Sequence, residues 1–378
     1  MMEPKIRFKG FEGEWKTSTI GEIAPLQRGY DLPTNNVISG TIPVVYSNGI
    51  LRFHNEGKCQ APAIITGRSG TIGKFTYIDH GEYWPHNTSL WVTTFHKNYP
   101  RFVYYFFQNV GFEKYATGSG VPTLNRNDIH KHIESIPSNK EEQQAIASYF
   151  TTLDSQISAS TSRLASLKQM KAASLQAMFP QEGETVPKIR FKGFKGEWKK
   201  VKADSIFKTF NEKNRPDLPV LSATQDRGMV TRESIGYNIF HDTSNEATYK
   251  HILPGQFVIH LRSFQGGFAH SEIEGIASPA YTIIDFKNKD LYHDYYWRYV
   301  FMSKEFIKRL ELITYGIRDG RSISYDEFKE MSFLVPSKEE QIKIASYLKN
   351  LDRQISLQSQ RLEKLKQIKS ACLDKMFV

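Results

Sequence analysis

Cysteine is scarce in this chain, which has only Cys59 and Cys372 among 378 residues. Two distant cysteines provide neither a disulfide framework nor the paired thiols of a zinc site. Long apolar runs are also missing, since the aromatic-apolar stretch at residues 102–107 is far too short to span a bilayer. The aromatic runs at residues 101–110 and 295–304 predict buried helices instead. The opening stretch, MMEPKIRFKG, lacks the apolar core of a signal peptide. We therefore expect a cytoplasmic protein with no membrane segment.

The motifs of common catalytic and nucleotide-binding sites are absent as well. The sequence contains no GxxxxGKS/T phosphate loop, no HExxH zinc motif and no strand-linked GxGxxG. It also lacks a tetrapeptide of the NPPY or DPPY type, which is expected of amino-methyltransferases. Histidines are scattered, without acidic or cysteine ligands at metal spacing. We therefore expect no catalytic site, no metal site and no cofactor bound by this chain.

Positive charge is what the chain has in excess. It carries 50 lysines and arginines against 40 aspartates and glutamates, a net charge of +10. An apolar content of 39% and a charged content of 24% are normal for a soluble folded protein. The length allows two globular units or more. The excess of positive charge favours an anionic partner such as nucleic acid.

A long segment occurs twice. Residues 143–179 and 341–377 align without a gap at an offset of 198 positions, and neither copy contains proline or glycine. Each copy therefore predicts one long helix, and Ser138 with Glu141 and Ser337 with Glu340 predict a capping box at each start. Apolar residues recur at alternating spacings of four and three, which is typical of a coiled-coil seam. The predicted seam residues are Leu153, Ile157, Leu164, Leu167 and Met178 in the first copy and Leu351, Ile355, Leu362, Leu365 and Met376 in the second.

Pairing of the two helices with each other is the expected arrangement. Because both halves of the seam lie in one polypeptide, we predict an antiparallel intramolecular coiled coil whose outer side is free to bind another protein. Ser160, Lys171, Gln358 and Lys369 interrupt the apolar seam, which indicates that pairing is not the only contact of these helices. The alternative is an ordinary amphipathic helix packed on a core.

A second, shorter repeat precedes each block of variable sequence. The basic-aromatic segment PKIRFKGFEGEW at residues 4–15 returns at residues 187–198 with one change. The blocks that follow contain similar strand–turn–strand patterns, IITGRSGTIGKF and VIHLRSFQGGF, and we predict that both blocks share a mixed α/β fold. The predicted division is a first recognition domain, a first long helix, a polar linker, a second recognition domain and a second long helix, at residues 1–136, 137–180, 181–186, 187–335 and 336–378.

Basic residues in or beside glycine-containing loops are the candidates for DNA contacts. Arginine can pair with guanine edges through two hydrogen bonds, and glycine lets a loop approach a groove closely. The candidates are Arg28, Arg52, Arg68, Ser69, Lys74, Asn125 and Arg126 in the first block and Lys213, Arg215, Arg227, Arg262, Gln265, Arg318 and Arg321 in the second. The alternative for each is a solvated surface charge. Matching glycine-containing loops in the repeat favour DNA contact for Arg68, Arg262, Arg318 and Arg321.

These duplicated motifs resemble those of a known family, the specificity subunits of type I restriction-modification systems. The resemblance covers essentially the whole chain. It rests on the Glu-Trp that ends each basic-aromatic segment, on GRSGTIGKF, and on a motif that runs PS, EEQ, IASY, LD and I at residues 137–157 and 336–355. The order of these motifs, duplicated in one chain, is their most specific feature.

The resemblance implies two target-recognition domains, each reading one half of a bipartite double-stranded DNA target. It implies that the two helical regions pair antiparallel, set the gap between half-sites and dock two methyltransferase (M) subunits. Those subunits bind S-adenosylmethionine and methylate adenine N6, and restriction (R) subunits that use ATP and Mg complete the endonuclease. The specificity subunit itself catalyses nothing. The family supplies no base-contact residues that can be transferred to this chain.

Two other functions are the alternatives. The chain could be the recognition portion of a stand-alone DNA adenine methyltransferase or endonuclease, against which the missing catalytic motifs argue. It could also be a coiled-coil scaffold without a nucleic-acid role, against which the basic charge and the paired loops argue. The expected fold class is α+β, with two pseudo-twofold-related mixed α/β target-recognition domains joined by two long helices that form an antiparallel intramolecular coiled coil.

Overall fold

The computed structural model of this chain describes residues 3–118, 120–224, 227–235, 243–260, 267–313 and 324–378. Its backbone contacts divide the chain into two compact units, of residues 1–162 with 360–378 and of residues 163–359. This division cuts each long helix near its middle, so that each helix contributes one part to each unit. Within the described ranges, no helix is long and apolar enough to cross a membrane.

The first unit begins with short strands and helices that lead to the first long helix. In chain order they are β1 (Lys16–Thr19), α1 (Ile20–Ile23), β2 (Leu26–Arg28), β3 (Ile42–Tyr46), β4 (Gly49–His54), β5 (Cys59–Gln60), β6 (Ala63–Gly67), β7 (Phe75–Ile78), β8 (Glu82–Pro85), β9 (Ser89–Val92), α2 (Pro100–Val110), β10 (Ala116–Thr117), β11 (Thr123–Leu124), α3 (Arg126–His130), β12 (Ile133–Ile136) and α4 (Lys140–Ala177). Short 3-10 helices lie at Thr34–Asn36 and Phe112–Tyr115.

The core of the first unit forms between an antiparallel sheet and the aromatic helix α2. The sheet has the strand order β2–β9–β6–β7, and its apolar residues join the same buried cluster as those of α2. Helix α2 begins at Pro100, whose fixed φ suits the first helical position, and ends at Gly111, which adopts a left-handed conformation with φ 71°. The aromatic run was predicted to form a buried helix, and this is confirmed.

The second unit contains its own set of short elements before the second long helix. They are β13 (Lys199–Lys202), α5 (Ala203–Ile206), β14 (Phe207–Phe210), β15 (Leu221–Thr224), β16 (Gly228–Thr231), β17 (Lys250–Ile252), β18 (Phe257–Ile259), β19 (Phe268–His270), β20 (Gly275–Ala277), β21 (Thr282–Phe286), α6 (Asp294–Met302), α7 (Lys304–Ile313), α8 (Tyr325–Glu330), β22 (Ser332–Val335) and α9 (Lys338–Met376). Further 3-10 helices lie at Arg232–Ile235 and Thr243–Thr248.

The two units share one topology. The second sheet has the order β14–β21–β18–β19, which matches β2–β9–β6–β7 strand for strand. The pair β13–β22 matches β1–β12, and a parallel bridge between Val220 and Ile276 matches the parallel pairing of β3 with β8. The aromatic helix α6 stands where α2 stands in the first unit. The prediction that the two blocks share a mixed α/β fold is therefore confirmed.

The capping residues of the long helices differ between the copies. Ser337 Oγ accepts a hydrogen bond from the Glu340 N–H at 3.4 Å, which is one half of the predicted capping box, whereas the Glu340 carboxylate binds Arg190. At the first long helix, the prediction that Ser138 is the capping residue is wrong. Asn139, the extra residue of the first copy, accepts instead from the Glu141 and Glu142 N–H groups at 2.7 and 3.2 Å. Asparagine is a strong N-cap residue, and one inserted position moves the cap to it.

Within each unit, the segments of α4 and α9 run antiparallel. In the first unit, Tyr149 OH lies 3.4 Å from Cys372 Sγ, and Lys369 Nζ lies 2.6 Å from Asp154 Oδ1. As the residue number increases along α4, the residue number of its contact on α9 decreases, so the two segments are antiparallel. The second unit repeats this relationship, because α4 Lys171 meets Asp352 and the later Ser174 meets the earlier Tyr347.

The predicted seam residues are all shielded from solvent at least in part. None of the ten is exposed. Those that are buried are Leu153, Leu167, Met178, Leu351, Leu362 and Met376, and those that are half-buried are Ile157, Leu164, Ile355 and Leu365.

The basic-aromatic segment of each unit joins the start of one long helix to the end of the other. Arg7 donates from Nε and Nη2 to the Glu142 carboxylate at 2.7 and 2.9 Å, and the Ile6 N–H donates to the Lys375 carbonyl at 2.9 Å. Arg190 and Glu340 form the same bidentate pair in the second unit, at 2.6 and 2.7 Å. We call this arrangement, a segment arginine bound to a helix-start glutamate, the clasp.

Candidate nucleic-acid interface

A cleft of about 580 Å³ in the first unit brings together four of the predicted DNA contacts. Arg28, Arg68, Asn125 and Arg126 all line it. They reach it from three separate parts of the sequence, the end of β2, the turn after β6 and the start of α3. The other lining residues are Gln27, Gly29, Tyr30, Asp31, Leu90, Thr123 and Leu124.

The Arg28 side of the cleft is held by backbone hydrogen bonds to a neighbouring loop. The Gly29 N–H donates to the Ser89 carbonyl at 3.0 Å, and the Tyr30 N–H donates to the Pro85 carbonyl at 2.8 Å. A side chain at Gly29 would collide with the backbone of His86, so only glycine permits this close approach. The guanidinium of Arg28 is therefore presented from a fixed backbone.

Arg68 forms a bridge between two loops through its backbone. Its N–H donates to the Thr88 carbonyl and its carbonyl accepts from the Leu124 N–H, each at 2.8 Å. The residue is half-buried, and its guanidinium makes no hydrogen bond or ion pair with any residue that the structure describes. An arginine whose backbone is fixed and whose fork is free is suited to bidentate recognition.

Asn125 and Arg126 stand where helix α3 begins. The Asn125 side-chain oxygen accepts from the Asn127 N–H at 3.0 Å and so caps the helix, which leaves the amide nitrogen for another acceptor. Arg126 is exposed. At the other end of α3, His130 Nε2 accepts from the Leu26 N–H at 2.8 Å, at the first residue of β2. Burial, and then the charge of Arg126, lower the pKa of His130.

Asp31 is a cleft residue that the search for basic side chains missed, and Asn87, which does not line the cleft, is its neighbour. Asp31 Oδ1 accepts from Arg28 Nη2 at 3.4 Å and also from Asn87 Nδ2. The side chain of Asp31 is 70% exposed. Asp31 follows Arg28 by three residues in a glycine-containing segment, and this position could have indicated it. It was missed because only basic side chains were sought in such segments.

Three predicted contacts of the first unit do not line the cleft. Arg52 is exposed on β4, and Lys74 is exposed with its Nζ 3.5 Å from the Asn48 carbonyl. Ser69 pairs through its backbone with Thr123 and with the Thr88 carbonyl. Ser69 and Lys74 lie with Arg68 in the loop between β6 and β7, whereas Arg52 lies on the hairpin of β3 and β4.

The candidates of the second unit fall into two groups. Arg262, Gln265, Arg318 and Arg321 lie outside the described residues. Among the others, Lys213 and Arg227 are exposed, whereas Arg215 donates to the Asp217 carboxylate at 3.1 and 3.0 Å. That carboxylate raises the pKa of Arg215 and occupies its fork. Among the described residues, it is therefore in the first unit that several predicted contacts line one cleft.

Metal-ligating side chains do not gather in the part of the chain that the structure describes. No group of three or more His, Cys, Asp or Glu side chains there could hold a metal ion. The cleft offers the guanidinium groups of three arginines, one carboxylate and two side-chain amides.

Duplicated mixed domains, a basic cleft and antiparallel helices define a class of protein, one that recognises nucleic acid with two similar units. A family model for the type I restriction modification DNA specificity domain matches residues 12–169 and again residues 195–367. The chain therefore belongs to the type I restriction-modification DNA specificity family. Its role is DNA sequence specificity, without catalysis of its own.

Solved structures with the same fold come from this family. The S subunit of a type I restriction-modification system from M. genitalium superposes with a TM-score of 0.68 at 15% identity, covering 100% of this chain and 99% of that one. A structure of the type I R-M system, concerned with its assembly and conformational transition, has a TM-score of 0.51 at 14% identity, covering 97% and 98%. At these identities the likeness shows the fold. No curated protein matches the chain significantly.

Proposed function

We propose that each unit of this chain reads one half of a bipartite double-stranded DNA target. The observation that carries the proposal is the repeated topology, in which the same sheet order and the same helix connections support loops of different sequence. A common scaffold with divergent loops is suited to reading two different half-sites, because the loop residues that contact DNA can differ while the strands and helices that hold them stay the same.

The cleft of the first unit supplies the chemistry for one half-site. The Arg68 guanidinium makes no hydrogen bond or ion pair with the described residues, and its two-pronged donor geometry suits the O6 and N7 acceptors of guanine in the major groove. The amide of Asn125 and the guanidinium of Arg126 are exposed beside it and can bind a base edge or a phosphate. In this proposal Arg68 specifies sequence and Arg126 contributes mainly salt-dependent affinity.

The long helices set the distance between half-sites and dock the partner subunits. Each helix has close to 40 residues, with 38 in α4 and 39 in α9. A helix of this length extends roughly 57 Å. Exposed charged residues along both helices provide a surface for two methyltransferase subunits, and restriction subunits complete the complex. S-adenosylmethionine, ATP and Mg belong to those partners, in keeping with the missing motifs of this sequence.

Mapping of methylated adenines in host DNA, with and without this gene, tests the proposal. The expected result is a bipartite, asymmetric motif that disappears when the gene is deleted. A motif that persists, or a contiguous motif, would contradict it.

A second experiment inserts one helical turn into both long helices. The gap in the methylated motif should change while both half-sites stay the same, and an altered half-site would contradict the role of the helices as a spacer.

Methyl transfer by the purified chain separates this function from the stand-alone enzyme. The chain alone should transfer no methyl group from S-adenosylmethionine to DNA, whereas addition of the partner methyltransferase should restore transfer at the mapped motif. Sequence-independent binding of that complex to DNA would favour the scaffold alternative.

A further inference from the structure

A carboxylate stands in the basic cleft of the first unit. Arg28, Arg68 and Arg126 line the cleft, and among its described lining residues Asp31 is the acidic one. A carboxylate near the DNA backbone repels phosphate oxygens, so its presence lowers sequence-independent affinity. A surface that served affinity alone would gain from losing this charge.

The position of Asp31 is fixed by its surroundings. Its Oδ1 accepts from Arg28 Nη2 at 3.4 Å and from Asn87 Nδ2. The preceding residue, Tyr30, is anchored through its N–H to Pro85 and through its carbonyl to the Trp84 indole N–H at 3.3 Å. The second oxygen, Oδ2, has no hydrogen-bond partner among the residues that the structure describes. Asp31 therefore presents a free acceptor beside the donors of Arg28.

Acceptors in a DNA groove select for bases that carry an amino group. In the major groove, cytosine presents its N4 amino group and adenine its N6 amino group, whereas guanine O6 and thymine O4 are acceptors that would repel a carboxylate. Resting on the function proposed above, we propose that Asp31 is a specificity-determining residue of the first unit. It accepts a hydrogen bond from the amino group of a cytosine or adenine in its half-site and rejects guanine and thymine there.

Asp31→Asn is the variant that tests this assignment. It removes the charge and the repulsion of O6 and O4 while keeping the size of the side chain, and the exposed position makes a folding defect easy to exclude by thermal unfolding. We expect tighter binding to unrelated duplex DNA. We also expect discrimination at one base pair of one half-site to fall roughly tenfold or more. Asp31→Ala, which removes both acceptor oxygens, should relax the same base pair.

The measurement uses the full chain assembled with its partner methyltransferase and a set of labelled duplexes. Each duplex carries one base change in either half of the mapped target, and binding and methylation are measured for each. Asp79→Asn is the matched control, because Asp79 is also exposed and pairs with an arginine, Arg101 at 3.3 Å, but does not line the cleft. The control should leave discrimination unchanged at every base pair.

Two results would overturn the assignment of Asp31. One is full discrimination at every position in Asp31→Ala, which has neither acceptor oxygen, whatever happens to general affinity. The other is a loss spread evenly over both half-sites, which would assign Asp31 to phosphate repulsion alone. Failure of the proposed function is distinguishable from both, because the wild-type complex itself would then show no bipartite preference.

Discussion

Lys171 Nζ lies 2.5 Å from Asp352 Oδ1 in the second unit, so that two helices far apart in sequence are joined by an ion pair. The other oxygen of Asp352 accepts a hydrogen bond from Tyr299 OH on the aromatic helix at 2.7 Å. Neither side chain of the ion pair is fully in water, since Lys171 is 18% exposed and Asp352 is 30% exposed. One carboxylate thus connects the partner helix and the recognition domain.

The first unit contains the same arrangement. Lys369 Nζ lies 2.6 Å from Asp154 Oδ1, and Tyr105 OH donates to Asp154 Oδ2 at 2.9 Å. Each lysine interrupts the apolar seam, and the structure shows that this interruption takes part in the pairing. A charged pair at a seam fixes which residues face each other, because a shifted register leaves both charges half-buried without a partner.

Reversal of these charges should therefore lower stability. We expect Lys171→Asp to destabilise the protein by about 1–3 kcal/mol, because it places two carboxylates together at a half-buried position. The double variant Lys171→Asp with Asp352→Lys should recover part of this loss. Urea unfolding of the four proteins of the cycle gives the coupling free energy.

A matched control comes from an exposed ion pair of the same unit. Lys329 pairs with Asp326, whose side chain is 83% exposed. Lys329→Asp should change stability by less than about 1 kcal/mol. A double variant at Lys171 and Asp352 that is no more stable than either single variant would contradict a role for this pair in register.

The clasp of the first unit provides a second stability prediction. Glu142 is 2% exposed, accepts both arms of the Arg7 fork and also accepts from the Trp15 indole at 3.4 Å. Glu142→Ala leaves a guanidinium and an indole N–H without their acceptor, and we expect a loss of about 3 kcal/mol. The neighbouring Glu141 is exposed, so Glu141→Ala should cost less than about 1 kcal/mol in the same unfolding experiment. Equal losses would contradict the clasp.

Much of the architecture could be predicted from periodicity and repetition. The seam from Leu153 to Met178 recurs at fixed spacing, and the structure leaves none of its predicted residues exposed. The aromatic runs that became α2 and α6 were recognisable because a long buried helix needs apolar residues on most sides. Two copies in one chain also made internal pairing the expected outcome.

The roles of individual motif residues could not be predicted, because they depend on partners far away in sequence. Arg7 and Glu142 are 135 positions apart, and no local pattern indicates that they meet. Gln143 is another example, since its Nε2 donates to the Pro137 carbonyl and its Oε1 accepts from the Tyr99 N–H at 2.7 Å. The cleft is similar. Its arginines were selected for charge, whereas Asp31 became visible only where the fold brings Arg28, Arg68 and Arg126 together.

Arg68 should affect one half-site only. Replacement by alanine removes the guanidinium from the cleft, and we expect a loss of roughly 1–3 kcal/mol that depends on one base pair of that half-site. Lys97→Ala is the control, because Lys97 is an exposed cation of the same unit, is not a candidate contact and does not line the cleft. Binding to duplexes with single base changes, at two salt concentrations, measures both. An even loss over all sequences with a weaker salt dependence would instead assign Arg68 to a phosphate.

The hydrogen bond between His130 and Leu26 predicts a dependence of stability on pH. His130 Nε2 accepts the Leu26 N–H, so this nitrogen must be unprotonated in the folded state. Burial lowers the pKa of His130 below its usual 6.5, so the unfolded chain binds a proton in a range where the folded chain does not. The stability due to this group is therefore complete above about pH 6.5 and is lost as pH falls towards the folded pKa.

His130→Gln should make this dependence shallower. The glutamine side chain can place an amide oxygen near the position of Nε2 and does not titrate, so it can accept the Leu26 N–H at any pH. We expect the fall in unfolding free energy between pH 7 and pH 5 to be smaller in the variant than in the wild type, as measured by urea unfolding across that range. Because Leu26 begins the strand that ends at Arg28, half-site discrimination should also weaken less in acid. His80→Gln removes an exposed imidazole as a control, and an unchanged pH dependence in His130→Gln would show that this hydrogen bond does not couple protonation to the cleft.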